Sequence, residues 1–383
     1  MLKLILRNVF RHRLRSILTL LGVAIAMLAF GILRTLVGAW YIGVESSSAN
    51  RLVTRNKISL IYPLPLAYKN KLSQIGGVNG IGYGAWYGGI YRDKKNFFPQ
   101  FAISGIDYLN LYPEFLLGVE EKKAFGKERQ AAIVGQATAK RFGWKIGDTI
   151  PLQGTIYPGN VEFVLKGIYK GSLKNTDETA FFFHYDYLNE KLKKDSPAQA
   201  DKVGYFMVRI KDPDQAPMIA EEIDSLFANS LAETLTETEK AFQMGFVAMT
   251  DAILTVVQVI SIVVIGIILI VLANTMSMTA RERSSEYAVL KTLGFGPGFI
   301  FFLICGESLV LALVGGVLGA IMTFPGGMLF QAELKSFLPV FDITVETLLL
   351  IMVISCALGF FAAIPPAIRS SRISIGEGLR HLG

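Results

Sequence analysis

The sequence is poor in the residues that build disulfide scaffolds and metal sites. Its 383 residues include only two cysteines and three histidines. Both cysteines, Cys305 and Cys356, lie inside apolar runs, so any soluble part of the chain must be stabilised by its own hydrophobic core. The histidines at positions 12, 184 and 381 lie in three separate regions. These absences exclude a disulfide framework and argue against a metal site.

The sequence also lacks the motifs of nucleotide-binding and hydrolytic enzymes. No segment matches the phosphate-binding loop G-x-x-x-x-G-K-[ST], and the glycine-rich piece at 294–298 lacks the lysine and is typical of a turn. No Ser/His/Asp set or pair of carboxylates stands out. The sequence therefore predicts a chain that is not an enzyme and binds no cofactor directly, so that ATP must be bound by a separate subunit.

Long apolar runs are abundant. The chain is 52% hydrophobic with a mean hydropathy of +0.44, and its runs at 17–33, 252–273, 299–322 and 347–363 can each cross a bilayer. The first run could be the core of a signal peptide, but it is longer than such a core and no cleavage motif follows, which favours a retained anchor. We expect an α-helical membrane protein with four transmembrane helices and an α+β extracytoplasmic domain between the first and second helices.

The positive charge is concentrated beside these runs. Of the formal charge of +7, the excess lies in 1–15, 281–291 and 369–383, whereas the loop 323–346 holds one lysine and three acids. A basic excess beside membrane helices marks the cytoplasmic side, so both termini should be cytoplasmic. Nucleic acid is a poor partner for these bases because they lie at membrane boundaries and have no interleaved aromatic residues.

Three domains are predicted. Residues 1–44 hold the basic N-terminal helix and the first span, residues 45–245 form a two-lobed α+β domain with a stalk, and residues 246–383 hold three further spans. From Thr234 the pattern is typical of a helix that leads into the second span and forms the stalk. The aromatic residues of 83–101 fit a core better than a docking surface, and 190–202 is typical of a solvated loop. The predicted helices are 66–75, 136–142 and 216–228, and the predicted strands are 78–92, 97–105, 149–152, 161–168 and 203–210.

A charged segment separates the second and third apolar runs. Its acidic and apolar residues recur at helical spacing and predict a helix over 281–293 along the cytoplasmic membrane surface. Arg283 can pair with Glu286, which would leave Glu282 exposed for a partner; the alternative is a solvated surface helix. The candidate residues of this segment are Arg281, Glu282, Arg283, Glu286, Leu290, Leu293 and Gly294.

The third run carries two further features. Gly315, Gly316 and Gly319 include small-xxx-small spacing, which permits close helix packing. Glu307 lies about 12 Å along the run at 1.5 Å per residue, and an acid there could relay protons or bind a cation. Because no basic residue is its sequence neighbour, we favour a hydrogen bond across the helix bundle or a position near the interface.

Several segments resemble one protein family. The segment 282–294, Glu-Arg-Ser-Ser-Glu-Tyr-Ala-Val-Leu-Lys-Thr-Leu-Gly, is similar to the ERxxEIGxxxAxG segment of FtsX/MacB-type permeases of ABC transporters, with Tyr287 for Ile and Ala288 for Gly. The basic start at 6–19 resembles the family's N-terminal helix. The end at 366–380 resembles its closing segment, with Ile375 in the place of a proline. The order of one span, a large domain and three spans is also the same.

This resemblance implies a permease of the bacterial inner membrane that relays the ATP-driven motion of a cytoplasmic ATPase to its outer domain, a role called mechanotransmission. The 281–294 residues would contact the ATPase, and the implied partners are that ATPase, a second permease copy, the lipid bilayer and, in efflux systems, a periplasmic adaptor with an outer-membrane channel. We expect an exporter. The alternatives are a signalling or scaffold permease that controls a cell-wall hydrolase, and the extraction of lipoproteins or lipids.

Overall fold

The computed structural model describes residues 2–9, 11, 13–45, 47–173, 176–334 and 343–374. Four of the described helices are long and apolar enough to cross a membrane, over Arg13–Tyr41, Ala252–Glu282, Pro297–Phe330 and Val345–Arg372, which confirms the four predicted spans. The helices are α1 (Leu2–Val9), α2 (Arg13–Glu45), α3 (Tyr68–Leu72), α4 (Ile106–Leu111), α5 (Val119–Lys127), α6 (Gln136–Phe142), α7 (Tyr185–Asp195), α8 (Ala216–Leu226), α9 (Glu239–Met249), α10 (Asp251–Glu282), α11 (Ser284–Thr292), α12 (Pro297–Leu334) and α13 (Val345–Arg372).

The chain divides into two compact units. The membrane unit contains α1, most of α2, and α10 to α13, and its core combines apolar side chains from all of these helices. Most apolar residues of α10, such as Ile262 and Ile270, are exposed, which is typical of a helix surrounded by lipid. The α/β unit contains every other described helix and strand.

The strands of the α/β unit form a ten-stranded mixed sheet and a small two-stranded one. The large sheet has the order β12-β1-β11-β3-β4-β9-β6-β8-β5, with β7 also paired to β8; β4 and β9 are parallel, as are β6 and β8. The strands are β1 (Arg51–Asn56), β2 (Leu64–Pro65), β3 (Val78–Trp86), β4 (Gln100–Ile103), β5 (Phe115–Leu116), β6 (Ala131–Gly135), β7 (Thr149–Gly154), β8 (Gly159–Gly171), β9 (Phe181–His184), β10 (Lys202–Val203), β11 (Tyr205–Ile210) and β12 (Thr234–Thr238).

The strands β1, β4, β6, β9 and β11 of the large sheet are buried on both faces, whereas β7 and β8 alternate between buried and more exposed residues. Successive side chains of a strand point to opposite faces, so Leu52 and its neighbour Val53 on β1 belong to different hydrophobic cores, as do Phe206 and Met207 on β11. The helices α3, α6, α7 and α8 contribute to the first core, and α4 and α5 to the second. Two-sided burial explains why β6 and β9 are apolar runs, whereas β8, with one face more exposed, alternates.

The predicted α+β composition is correct, but two details of the prediction are wrong. The two expected lobes share one continuous sheet, in which strands from 50–105 and 203–238 form one end and the inserted strands the other, joined by the parallel pair β4 and β9. Much of the expected loop 190–202 belongs to α7, because Leu188 and Leu192 pack into the core. The aromatic residues near 83–101 do fill the core, apart from the exposed Trp86 and Phe97.

The predicted stalk is also not one helix from Thr234. The chain first forms strand β12, which pairs with β1, and helix α9 begins only after it, where the Thr238 hydroxyl accepts a hydrogen bond from the Ala241 amide. Thr250 then separates α9 from α10 with φ −104° and ψ 4°. Cross-strand pairing outweighs helical pattern in this segment because β12 completes the edge of the sheet.

Candidate functional site

The segment between the second and third membrane helices contains two helices in place of the single predicted helix over 281–293. Helix α10 extends to Glu282, and α11 begins at Ser284. Arg283 between them has φ −103° and ψ 15°, outside the helical region, although its amide still donates to the Thr279 carbonyl at 3.2 Å. This break in the helix coincides with contacts that Arg283 makes to distant residues.

Arg283 is buried and paired with Glu307, which lies inside α12. Its Nη1 atom donates to Oε1 and Oε2 of Glu307 at 2.7 and 2.8 Å, and Asn8 Nδ2 of α1 donates to the same Oε1 at 2.7 Å. The hydrogen bond expected across the bundle is therefore present, and the missing basic partner of Glu307 is supplied by residue 283. Hydrogen bonds from Arg283 and Asn8 compensate the burial of the Glu307 charge. The structure therefore gives no separate support to a proton relay or a cation site at Glu307.

The two acids expected to face a partner are paired within the chain. Arg15 donates to Glu282 at 2.6 and 2.8 Å, and Arg11 forms an ion pair with Glu286, which also accepts from Arg283 Nε at 2.9 Å. Glu282 is exposed but its carboxylate is already paired with Arg15, and its contact with a partner stays a prediction. A signal for this arrangement was present in the sequence, because Arg11 and Arg15 have the same i,i+4 spacing as Glu286 and Glu282.

These contacts also set the charge state of the segment. Burial by itself raises the pKa of Glu286, but hydrogen bonds from Arg283 and Arg11 outweigh burial and bring the pKa below its ordinary value. Burial lowers the pKa of Arg283, and the carboxylate of Glu307 with the neighbouring Tyr287 more than restores it. Both groups are therefore charged at neutral pH.

Helix α11 is also attached to the fourth membrane helix. Lys291 Nζ donates to the carbonyl oxygens of Ser371 and Ile373 at 2.9 and 2.5 Å, at the C-terminal end of α13, where carbonyls lack helical partners. Tyr287 is buried, and the half-buried Leu290 packs against the core of the membrane unit. Contacts thus connect the segment 281–294 with α2, α12 and α13.

One end of α11 is exposed. Val289, Leu293 and Phe295, which we name the α11 tip, have relative exposures of 45%, 70% and 42%. Gly294 ends the helix with φ +93°, a conformation that favours glycine. Arg281 is exposed as well, at the end of α10. Within the segment the tip is therefore exposed and apolar, whereas the two acids are paired with arginines.

The three glycines singled out in α12 lie at helix contacts. A β-carbon on Gly315 would lie 2.7 Å from Val23 Cβ of α2, and one on Gly319 would lie 2.6 Å from Met27 Cβ of the same helix. A β-carbon on Gly316 would lie 2.7 Å from Ser355 Cβ of α13. These glycines allow α12 to approach α2 on one side and α13 on the other.

The described residues contain no group of three His, Cys, Asp or Glu side chains that could hold a metal ion. The site consists instead of ion pairs and an apolar tip, which suit mechanical contact and protein binding better than covalent chemistry.

The sequence matches two family models. A model described as the FtsX-like permease C-terminal region matches residues 258–375. A model of the MacB-like periplasmic core domain matches residues 16–226, more than half of the chain.

The chain belongs to the FtsX/MacB-type permeases of ABC transporters. In this permease the segment with Arg283 and α11 lies inside the FtsX-like region, and the α/β unit lies largely inside the MacB-like region. Its fold of four membrane helices, with a mixed α/β domain between the first and second, agrees with both matches.

Three relatives illustrate the range of the family. An uncharacterized ABC transporter permease of Methanocaldococcus jannaschii is 25% identical over 342 residues, covering 82% of this permease and 80% of the relative. The lipoprotein-releasing system transmembrane protein LolC of Neisseria meningitidis is 22% identical over 287 residues, covering 65% and 64%. A probable export ATP-binding/permease protein of Pseudomonas fluorescens is 26% identical over 182 residues, covering 45% of this permease and 26% of that protein.

Proposed function

We propose that this permease is the membrane subunit of an exporter whose ATP is hydrolysed by a separate cytoplasmic ATPase, and that α11 couples the two subunits. The observation that carries the proposal is the attachment of α11 to other helices of the membrane unit while its tip stays exposed. The Pseudomonas relative, named for both ATP binding and permease activity, supports an ATPase as the partner. We place α11 and both termini in the cytoplasm because basic residues are concentrated there.

The contacts around α11 supply a route for motion. Arg11 and Arg15 connect the segment to the N-terminal region, the Arg283–Glu307 pair connects it to α12, and Lys291 connects it to α13. A displacement of α11 would therefore be shared by several membrane helices. Two of the helices, α2 and α10, are joined in sequence to the two ends of the α/β unit, so their motion can reach that unit.

We assign the docking surface to the α11 tip and not to the acidic pair. Glu282 and Glu286 neutralise arginines of the same chain, so a partner would have to displace these bonds to use them. Val289, Leu293 and Phe295 are exposed without such competition, and apolar side chains at an interface centre contribute most when fully buried by the partner. The partner is an ATPase with an apolar groove, and Arg281 lies at the edge of the interface.

The test is co-purification of the full chain with its ATPase subunit. Leu293→Asp should weaken the complex at least about tenfold, because a carboxylate would be buried in an apolar groove. The matched control is Leu231→Asp, since Leu231 is fully exposed in the α/β unit. The chain alone should hydrolyse no ATP, and the complex should. Undiminished binding of the Leu293→Asp chain, or turnover by the chain alone, would contradict the proposal.

The similarity to LolC favours lipoprotein extraction as a second candidate function. In that case the same ATPase-driven motion would release lipoproteins from the membrane in place of exporting a soluble substrate. Release of lipoproteins from membrane vesicles that contain the complex and ATP distinguishes the two functions. We propose a dimer of permeases for either function, and an adaptor with an outer-membrane channel only for efflux.

A further inference from the structure

A buried arginine joins three parts of the α/β unit. Arg51 is 3% exposed and is the first residue of β1. Its Nε donates to Glu239 Oε2 at 2.7 Å, its Nη2 and Nη1 donate to Glu114 Oε1 and Oε2 at 2.6 and 3.1 Å, and Nη1 also donates to the Leu111 carbonyl at 3.0 Å. The guanidinium lies 4.2 Å from the centre of the Tyr112 ring. The planar fork of arginine suits such divided contacts, and lysine could not make them.

The cluster stands where the chain enters and leaves the α/β unit. Helix α2 ends at Glu45, shortly before Arg51, and Glu239 begins α9, which ends at Met249 next to α10. Glu239 Oε2 also accepts a hydrogen bond from the Ser48 amide at 2.9 Å. One carboxylate therefore binds the incoming chain twice, at its backbone and at its arginine.

Pairing between β1 and β12 does not reach this position, although Arg51 still pairs with Arg209 of β11. The ladder between β1 and β12 has Leu52 opposite Thr238 as its last pair on this side. Arg51 precedes Leu52 on β1 and Glu239 follows Thr238 of β12, so their ion pair continues the connection between the two strands beyond the ladder. Glu114 extends the connection to the segment after α4. Apolar residues could stabilise this core equally well, but they would not hold the two connections in one fixed geometry.

We propose that Arg51, Glu114 and Glu239 form a joint, the Arg51 joint, that fastens the two chain connections to each other and to the sheet. Arg51 is the positioning residue of the joint. Motion carried by α2 and α10 then enters the α/β unit through one rigid element in place of two independent connections. This inference rests on the proposed coupling function and names the residue that delivers the motion.

The test compares Arg51→Lys with Arg55→Lys in the full chain, reconstituted in lipid nanodiscs with its ATPase. Arg55 is a matched control because it pairs with Glu237 at 3.0 Å between the same two strands, away from the chain connections. Lysine keeps the buried positive charge in Arg51→Lys but cannot bind both carboxylates. Hydrogen exchange of the amides is measured with and without ATP, together with ATP turnover.

Without ATP, Arg51→Lys should increase amide exchange in α9 at least about fivefold and leave β3 and β11 unchanged. With ATP, turnover should remain within about twofold of the unsubstituted complex, while the ATP-dependent change of exchange in the α/β unit is lost. Arg55→Lys should behave like the unsubstituted chain. Unchanged exchange in α9, an equal increase throughout the unit, or an intact ATP response in Arg51→Lys overturns the joint. Absence of an ATP response in the unsubstituted complex overturns the coupling function instead, and exchange in α9 still decides whether Arg51 fastens that helix.

Discussion

Arg283 Nη1 lies 2.7 and 2.8 Å from the two carboxylate oxygens of Glu307, although the residues are 24 positions apart. The pair connects the break between α10 and α11 with the interior of α12. Asn8 adds a hydrogen bond from α1 to the same carboxylate. Three separate segments of the membrane unit thus meet at Glu307. Variants of this ion pair therefore test whether α11 is coupled to the other membrane helices.

Removal of one partner should be more harmful than removal of both. Glu307→Leu leaves Arg283 buried without its carboxylate and should lower the free energy of unfolding by roughly 3–5 kcal/mol. The double variant Arg283→Met with Glu307→Leu should recover most of this loss, because an apolar pair of similar size needs no charge compensation. Thermal unfolding of the three chains in one detergent measures the difference. Equal destabilisation of single and double variants would show that the ion pair is not a coupled unit.

Reversal of both acids at the membrane surface should act through the N-terminal arginines. Glu282→Lys with Glu286→Lys places like charges opposite Arg15 and Arg11, and should weaken ATPase co-purification by displacing α11. Adding Arg11→Glu and Arg15→Glu restores opposite charges and should recover binding. Each exposed ion pair contributes only about 0.2–1 kcal/mol to stability. Because the segment stays basic in the Glu282→Lys and Glu286→Lys variant, insertion into the membrane should be unaffected. If the fourfold variant still fails to bind while its fold is intact, the acids contact the ATPase directly.

The contact between α12 and α2 should tolerate no added methyl group. Gly319→Ala would place a β-carbon 2.6 Å from Met27 Cβ, and we expect destabilisation of about 1–3 kcal/mol from overpacking. Gly266→Ala in α10 is the matched control, because no atom lies within 4 Å of its added β-carbon. Both chains are compared by thermal unfolding in detergent. A Gly319→Ala chain as stable as the control would mean that α2 and α12 separate easily.

Cysteine labelling can test the topology. In a chain with Cys305 and Cys356 replaced by alanine, single cysteines at Lys94 and Lys193 should react with an impermeant reagent from outside, and one at Gly296 only after the membrane is opened. The loop cysteine at residue 335, also expected outside, falls outside the described residues. Labelling of either domain position from the cytoplasmic side alone would refute the proposed orientation.

The stability of the α/β unit should fall in mild acid because of His184. Its Nε2 donates to the Phe125 carbonyl at 2.7 Å, and burial lowers the pKa of His184 below its ordinary value of 6.5. The unfolded chain therefore binds more protons below this pH, so the stabilising effect is complete above about pH 6.5 and is lost as the pH falls further. Thermal unfolding of the full chain from pH 7.5 to 5 should show a smaller loss for His184→Gln. Identical pH profiles would exclude this histidine as a cause.

Much of the architecture follows from local sequence. The four spans are readable because a membrane helix must be apolar over its whole length. Helices α6 and α8 depend on neighbouring residues, and they were predicted over 136–142 and 216–228. The family resemblance likewise depends on contiguous motifs, and the two family models confirm it.

Tertiary structure alone decided which charges pair and which residues stay exposed. Glu307 has no basic sequence neighbour, and its partner Arg283 is brought to it only by the packing of α10 and α12. The pairing of Glu282 with Arg15 and the packing of Leu290 against the membrane core also join residues that are distant in sequence. Strand β12 likewise depends on pairing with β1, far away in the chain. Periodicity reports only which face of an element is apolar, whereas a bond between distant residues depends on how the elements are packed together.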